Sequence, residues 1–397
     1  MNILFIHDHE VNPFKGGMQR VTYLLAQEFA RRGHLSLFLS LREDPQEFTG
    51  KGTFPQITLP AKKLGKETFN QEIAKLIGEQ SIGLIILQHP EPPYWDFIEG
   101  LSSLAPTYFF LHNQPYPLVK KERFVKRLTP ASSLRPKGRI LRLLGIITPG
   151  IFRKLYLSQF GKSFKKLVDA VNKMVLLSDH YVPRFIQYTP GIDKKKVMAL
   201  NNPITFPIEN ISIDFSRKEN IVLVVCRMTN PQKNLTGFID VWKDFSNRKP
   251  DWKAIIVGDG ESRQLVEKYA RKTGVARLQF EGNRENVRDY YKKAKIFCMT
   301  SSYEGWPMTL MESMAFGCVP VVYDSFEAVQ EMITSGKDGI IVPAFYKKKM
   351  VEAMSDLADN PEKLQKLASA AHEKLELYTC DKIVDIWEKK IFGQLTP

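Results

Sequence analysis

The sequence predicts an α/β protein made of two doubly wound parallel-sheet domains. Three observations carry that reading. Short apolar runs alternate with amphipathic helical stretches nearly from end to end, the pattern of a parallel sheet covered on both faces. The alternation lapses near 204–218, where no helical period is clear, and restarts with a clean apolar run at 221–225. At 397 residues the chain is also longer than one ordinary core holds, so two domains are the natural division.

Residues 2–6 predict the first buried strand, with no basic leader or cleavage site that would make them a signal peptide. The loop after it carries Gly16-Gly17 just before a helix over about 18–32, whose apolar face is Leu24, Leu25, Phe29 and Ala30 and whose stop is Gly33. Two adjacent glycines let backbone approach a ligand at a helix start, or simply supply a turn that needs positive φ. A strand at 35–39, a helix at 69–80 and strands at 82–87 and 107–111 follow, the last leading into His112-Asn113. In such sheets ligands lie beyond the carboxyl ends of the strands. Both Gly16-Gly17 and His112 fall there, a position that favours a ligand role for a histidine that, alone at a strand end, is more often a structural hydrogen-bonder.

The alternation is interrupted by a basic insert at about 118–170. Between residues 118 and 173 there are 15 lysines and arginines against two acids, nearly the whole of the net +14. The cations are interleaved with apolar residues such as Ile140, Leu144, Ile151 and Leu155, in helical pieces broken at Pro130, Pro136 and Pro149. Such a patch suits an anionic membrane surface, or is an ordinary charged face. No zinc-finger, RNP or helix-turn-helix signature accompanies it, so a nucleic-acid partner is not expected. A strand at 173–177, a helix near 182–188 and a strand at 197–200 close a first domain over 1–203, with 204–218 as linker.

The second domain, 219–378, opens on the strand at 221–225 and turns through Cys226-Arg227-Met228 to Lys233-Asn234 before a helix over about 235–245. Two cations flanking a strand-to-helix turn can hold a diphosphate, Arg as a fork and Lys as a point charge, though either alone reads better as a solvated surface residue. Strands at 253–257, 278–281 and 296–299 follow, with Gly258-Asp259-Gly260 and Gly282-Asn283 after the first two. The third glycine of a dinucleotide fingerprint is missing, so that match is weak. The stretch 304–320, EGWPMTLMESMAFGCVP, then places Pro307 at the first position of a short helix and Gly317 just past its end. The helix start is an anion site in waiting beside Glu304 and Gly305. Glu312 is five residues past Pro307, roughly 7 Å along the axis, and could reach a second part of the same ligand; the bland alternative makes Glu304 a loop acid and Glu312 a solvated one. Helices at 347–359 and 361–377 complete the domain, and a terminal segment, 379–397, carries a helix that could dock back on the first domain.

Composition bounds the rest. A chain 43% hydrophobic and 25% charged is soluble and globular, and no apolar stretch approaches the ~18 residues of a spanning helix. Cys226, Cys298, Cys318 and Cys380 show no C-x-x-C pairing, which points to buried thiols in a reducing compartment and to no metal site.

With these residues in order, the chain resembles the retaining glycosyltransferases of the GT-B fold, most closely family 4: Gly16-Gly17, His112, Arg227 with Lys233-Asn234, Gly258-Asp259-Gly260, Gly282, and Glu304 with Glu312 in the E-x7-E arrangement. The resemblance implies two Rossmann-like domains facing a central cleft. It implies a nucleotide diphosphate sugar, UDP- or GDP-linked, as donor substrate with no cofactor. Glu312 would hold the ribose, Asn283 would lie near the base, and Arg227 and Lys233 would take the diphosphate. Glu304 and the backbone of Gly305, Trp306, Pro307 and Met308 would hold the transferred sugar, Gly16-Gly17 would close over the phosphates, and His112 would serve sugar and acceptor. No D-x-D pair appears, so transfer is expected to be metal-independent and retaining. The acceptor would be lipid-linked or a glycan, with the enzyme cytoplasmic and peripheral on the inner face of the plasma membrane. A related epimerase or hydrolase, or a non-catalytic binder of nucleotide sugar or nucleic acid, is the alternative.

Overall fold

The computed structural model describes residues 1–14, 16–43, 54–88, 92–116, 149–230 and 232–394. Most of the basic insert, residues 118–148, therefore lies outside the described residues. Two compact units emerge, one from residues 1–116, 155–205 and 378 onward, the other from 206–377.

The first unit is a seven-stranded sheet: β1 (Asn2–His7), β2 (Leu35–Ser40), β3 (Gln56–Thr58), β4 (Ile82–Gln88), β5 (Thr107–Leu111), β6 (Lys173–Leu176) and β7 (Val197–Ala199), in the order β3-β2-β1-β4-β5-β6-β7. Every pairing is parallel. Helices α1 (Gly17–Arg31), α2 (Ala61–Leu64), α3 (Lys66–Glu79), α4 (Leu101–Leu104), α5 (Pro149–Ala170) and α6 (Val182–Tyr188) connect the strands. The inner strands are buried almost throughout, because parallel strands are covered on both faces and so read as apolar runs, while edge strands β3 and β7 are only partly covered. Edge strand β3 and helix α2 were not foreseen: three and four residues are too short to show a period. Helix α5 begins at Pro149, where the expected break falls and where the missing N–H costs no hydrogen bond; the breaks expected at Pro130 and Pro136 lie outside the described residues.

The second unit holds β8 (Glu219–Val225), α7 (Leu235–Arg248), β9 (Lys253–Val257), α8 (Arg263–Thr273), β10 (Leu278–Gly282), α9 (Arg288–Lys293), β11 (Ala294–Met299), α10 (Met308–Ala315), β12 (Val319–Asp324), α11 (Val329–Met332), β13 (Ile340–Pro343), α12 (Lys347–Asp359) and α13 (Pro361–Lys374). Its six parallel strands run β10-β9-β8-β11-β12-β13. A core centred on Phe238, Trp242, Ile256, Val321 and Met354 packs α7, α8, α12 and α13 against the sheet. The segment before β8, expected as linker, packs here: Ile213 lies against Gly317, and Lys218 is buried.

The terminal helix α14 (Cys380–Lys390) belongs to the first unit. Trp387 stacks on Phe110 at 4.8 Å between ring centroids and meets Phe29 edge-on at 5.4 Å. Arg32 at the end of α1 donates to Asp385 and Glu388 at 2.7 and 3.0 Å. Among the described residues no helix is long and apolar enough to cross a membrane.

Candidate active site

In both sheets the strand order reverses once, between β1 and β4 in the first and between β8 and β11 in the second. The loops leaving two such strands diverge, and a crevice opens at their carboxyl ends. In the second unit those loops are 226–234 and 300–307, and they are clasped together. Asn234 sits at φ 49° as the N-cap of α7 and turns its side-chain amide onto the Thr300 carbonyl at 3.1 Å. The Thr300 hydroxyl donates back to the carbonyls of Lys233 and Asn234 at 3.3 and 3.2 Å, and the Ser302 N–H to that of Gln232 at 2.6 Å. Gly237 makes room for the clasp, since a Cβ there would lie 2.5 Å from the Asn234 amide nitrogen. An Asn followed three residues later by a Gly at a helix start was the available signal for it.

The clasp brings Lys233 to Glu304. Lys233 Nζ donates to Glu304 Oε1 at 2.6 Å, with 18% and 7% of their side chains exposed. Burial works against the charge on Lys233, but the Glu304 carboxylate beside it outweighs that and holds the ammonium's pKa above its ordinary value, with nearby Arg227 pulling the other way. Arg227 itself is exposed. Burial pushes the adjacent Cys226 thiol up to about 12, so it stays neutral. The reading of Glu304 and Glu312 as ordinary solvated acids fails, because both are only 6% exposed. Glu312 Oε2 accepts from the Tyr291 hydroxyl at 3.0 Å. Tyr291 was missed because nothing in a pattern links it to an acid 21 residues on.

Helix α10 begins one residue later than expected. Pro307 has ψ 105°, outside the helical range, and serves as N-cap, leaving Met308 as the first helical residue. Trp306 is buried with its indole N–H on Met311 Sδ at 2.9 Å, so its side chain braces the loop. Asn283 is exposed just past β10. The glycines Gly258 and Gly260 have a packing reason. At φ 130° and 154° they let the loop after β9 cross that after β8, where a Cβ on Gly258 would sit 1.9 Å from the Cys226 carbonyl oxygen.

The first unit places Gly16, Gly17 and His112 at the carboxyl edge of its sheet. Gly16 is the N-cap of α1 at φ 167°, extended backbone that any residue adopts, and a Cβ there would meet nothing within 4 Å. The turn that needs positive φ is therefore not its role. Half-buried His112 donates its Nε2 proton to Gln88 Oε1 at the end of β4, a partner sequence reasoning missed. His7, closing β1, is 1% exposed with neither ring nitrogen hydrogen-bonded.

Two parallel-sheet α/β units of this strand order define the class of architecture as GT-B. Anabaena Alr3699/HepE, solved in complex with UDP-glucose, shares it with a TM-score of 0.72 at 16% identity, covering 99% of this chain and 100% of that one. The second unit can be placed more closely: residues 208–374 match the family of glycosyl transferases group 1. The chain is 29% identical over 299 residues to the amylovoran biosynthesis glycosyltransferase AmsD of Erwinia amylovora, covering 69% of this chain and 83% of that protein. It is 30% identical over 226 residues to the GalNAc-alpha-(1->4)-GalNAc-alpha-(1->3)-diNAcBac-PP-undecaprenol alpha-1,4-N-acetyl-D-galactosaminyltransferase of Campylobacter jejuni subsp. jejuni serotype O:2. That alignment spans 56% of this chain and 60% of the relative.

Proposed function

We propose that the chain is a retaining, metal-independent glycosyltransferase that moves a sugar from a nucleotide diphosphate sugar to a lipid-linked or polysaccharide acceptor in cell-surface glycan biosynthesis. The observation that carries this is the buried Lys233–Glu304 pair at the switch point of the second sheet, beside exposed Arg227. Arg227 and Lys233 would take the diphosphate. Glu304 and the backbone at 305–308 would hold the transferred sugar, Glu312 the ribose, and Asn283 would lie near the base. One ammonium that donates to Glu304 has further protons to offer a phosphate oxygen, which links the sugar and leaving-group sides of the bond to be broken. The first unit would supply His112 and Gly16-Gly17.

Cleaving the anomeric bond builds positive charge on the sugar and negative charge on the departing diphosphate. Preorganised cations and the N-terminus of α10 lower that barrier without reorganising. The leaving phosphate would take the acceptor's proton. The similarity to two glycan-assembling transferases favours transfer over the epimerase, hydrolase and non-catalytic alternatives. A peripheral site on the inner face of the membrane is supported by the described part of the basic segment, where α5 exposes the cations Arg153 and Lys154 and the apolar side chains Leu155 and Phe160.

The test is a thermal-shift panel of nucleotide sugars followed by transfer assays on the full chain. A UDP or GDP sugar should stabilise the protein, and Glu312→Ala should weaken it about 10–100-fold as a hydrogen bond to a charged group is lost. Turnover should persist in chelator, and flotation with anionic vesicles should fade with salt. Unchanged nucleotide affinity in Glu312→Ala would sink the donor assignment.

A further inference from the structure

Lys218 is 8% exposed, and main-chain carbonyls rather than a carboxylate hold its ammonium. Its ammonium donates to three main-chain carbonyls, those of Tyr291 at 3.0 Å, Ala294 at 2.7 Å and Phe316 at 2.6 Å, and lies 3.8 Å from Cys318 Sγ. Burying a long cation this way is costly unless something needs it there.

The identity of the carbonyls shows what that is. Tyr291 and Ala294 lie in the last turn and at the C-cap of α9, and Phe316 is the C-cap of α10. The final carbonyls of a helix lack intrahelical partners and carry the negative end of its dipole. A single cation between two such ends satisfies both and pins the helices together. Those helices carry the two halves of one hydrogen bond, Tyr291 on α9 and Glu312 on α10. The junction is reinforced twice. The Tyr291 ring stacks on Phe316 at 6.0 Å with the planes 3° apart, and Cys318 Sγ reaches the same two α9 carbonyls at 3.1 and 3.3 Å.

We propose that Lys218 is a positioning residue that keeps the Tyr291–Glu312 pair aligned for the donor's ribose, an inference that rests on the donor reading above. Lys218 is too deeply enclosed to touch the donor itself. It acts by fixing the spacing of α9 and α10, and the Tyr291 hydroxyl then holds the Glu312 carboxylate in one orientation before ligand arrives, which spares the ordering cost on binding.

The experiment is calorimetric titration of the full chain with UDP and with GDP, and donor kinetics, for wild type, Lys218→Met, Tyr291→Phe, Glu312→Ala and the Lys218→Met/Tyr291→Phe double variant. At a temperature where each is folded, Lys218→Met should raise the nucleotide Kd and donor KM about tenfold, the scale of one charge-assisted hydrogen bond, with kcat at saturating donor changed far less. In the Tyr291→Phe background the same substitution should add about twofold or less, because coupled residues are not additive. Cys318→Ala loosens the same junction mildly, should shift affinity in the same direction, and decides the matter if Lys218→Met does not fold. Intact affinity in Lys218→Met despite a lowered Tm, full multiplication of the two effects, or unchanged affinity in Cys318→Ala where Lys218→Met is unfolded overturns the proposal. Should Glu312→Ala also leave affinity unchanged, the donor reading falls with it; should Glu312→Ala weaken binding while Lys218→Met does not, this inference alone is lost.

Discussion

The two sheets share a strand order around their switch points yet furnish them differently. The second crevice is charged, enclosed and tied: Lys233 on Glu304, Glu312 under Tyr291, and two loops clasped through Asn234 and Thr300. The first is looser at the same places, with Gly16 in open space, His112 on the amide of Gln88, His7 buried without a partner, and Asp8 after β1 only 3.7 Å from Arg42 after β2. Topology supplies a crevice; the chemistry depends on what is set in it. A tied, preorganised crevice would suit an anionic donor, and a looser one an acceptor, as proposed above.

The largest way to break that contrast is to remove the cation from the second crevice. Lys233→Met leaves Glu304 buried and uncompensated, a change that costs about 3–5 kcal/mol of stability in buried pairs, at the upper end only if the 18% exposure of Lys233 admits little water. Turnover should fall about 10²–10³-fold, as when one preorganised electrostatic donor is lost. Adding Glu304→Gln should return most of the stability and none of the activity. Denaturant melts and initial rates on wild type and the two variants check it, and recovery of activity in the double variant would make the pair structural.

How much of this contrast was legible beforehand differs between the two crevices. The residues of the charged one could be read, because β8 and β11 end in the apolar runs 221–225 and 296–299, which announce where the next loop begins. Lys233, Glu304 and Glu312 then stand out as charges at those loops. What could not be read is who holds them. Tyr291 and Lys218 act through contacts between segments distant in sequence, and of the clasp only the spacing of Asn234 and Gly237 left a trace. The short pieces β3 and α2 were illegible because a period needs more residues than they have. In the first crevice the glycines were visible, but only backbone angles separate a forced turn from open space.

The second prediction turns on the unpartnered histidine. Burial pushes the pKa of His7 from 6.5 down to about 3, so the folded protein holds it neutral. The unfolded chain takes up a proton as pH falls below its ordinary value, while the folded one does not until near the lowered value. Stability from this group is therefore intact above about pH 6.5 and is lost toward pH 3 at about 1.4 kcal/mol per pH unit. His7→Leu should flatten the urea-midpoint profile over that window by one proton. An unchanged slope would show that water reaches the ring. Lys218 marks the opposite solution in the other unit, a buried base surrounded by carbonyls that favour its charge even though burial lowers its pKa.

The smallest expected effect on stability is the sharpest test of what the first crevice is for. Gly258 cannot gain a Cβ, because the Cys226 carbonyl oxygen occupies the place 1.9 Å away and φ is 130°. Gly16 has neither obstacle, with extended backbone and nothing within 4 Å. Gly16→Ala should therefore leave stability within about 0.5 kcal/mol of wild type, the range of unconstrained surface positions, or raise it slightly by stiffening the unfolded chain. If glycine is kept there so that backbone can close on a ligand, the same methyl should still raise the donor KM severalfold. Loss of stability would mean that the loop before α1 is packed after all. Unchanged stability with unchanged kinetics would remove Gly16 from the site and leave His112 and Gln88 as the first unit's contribution.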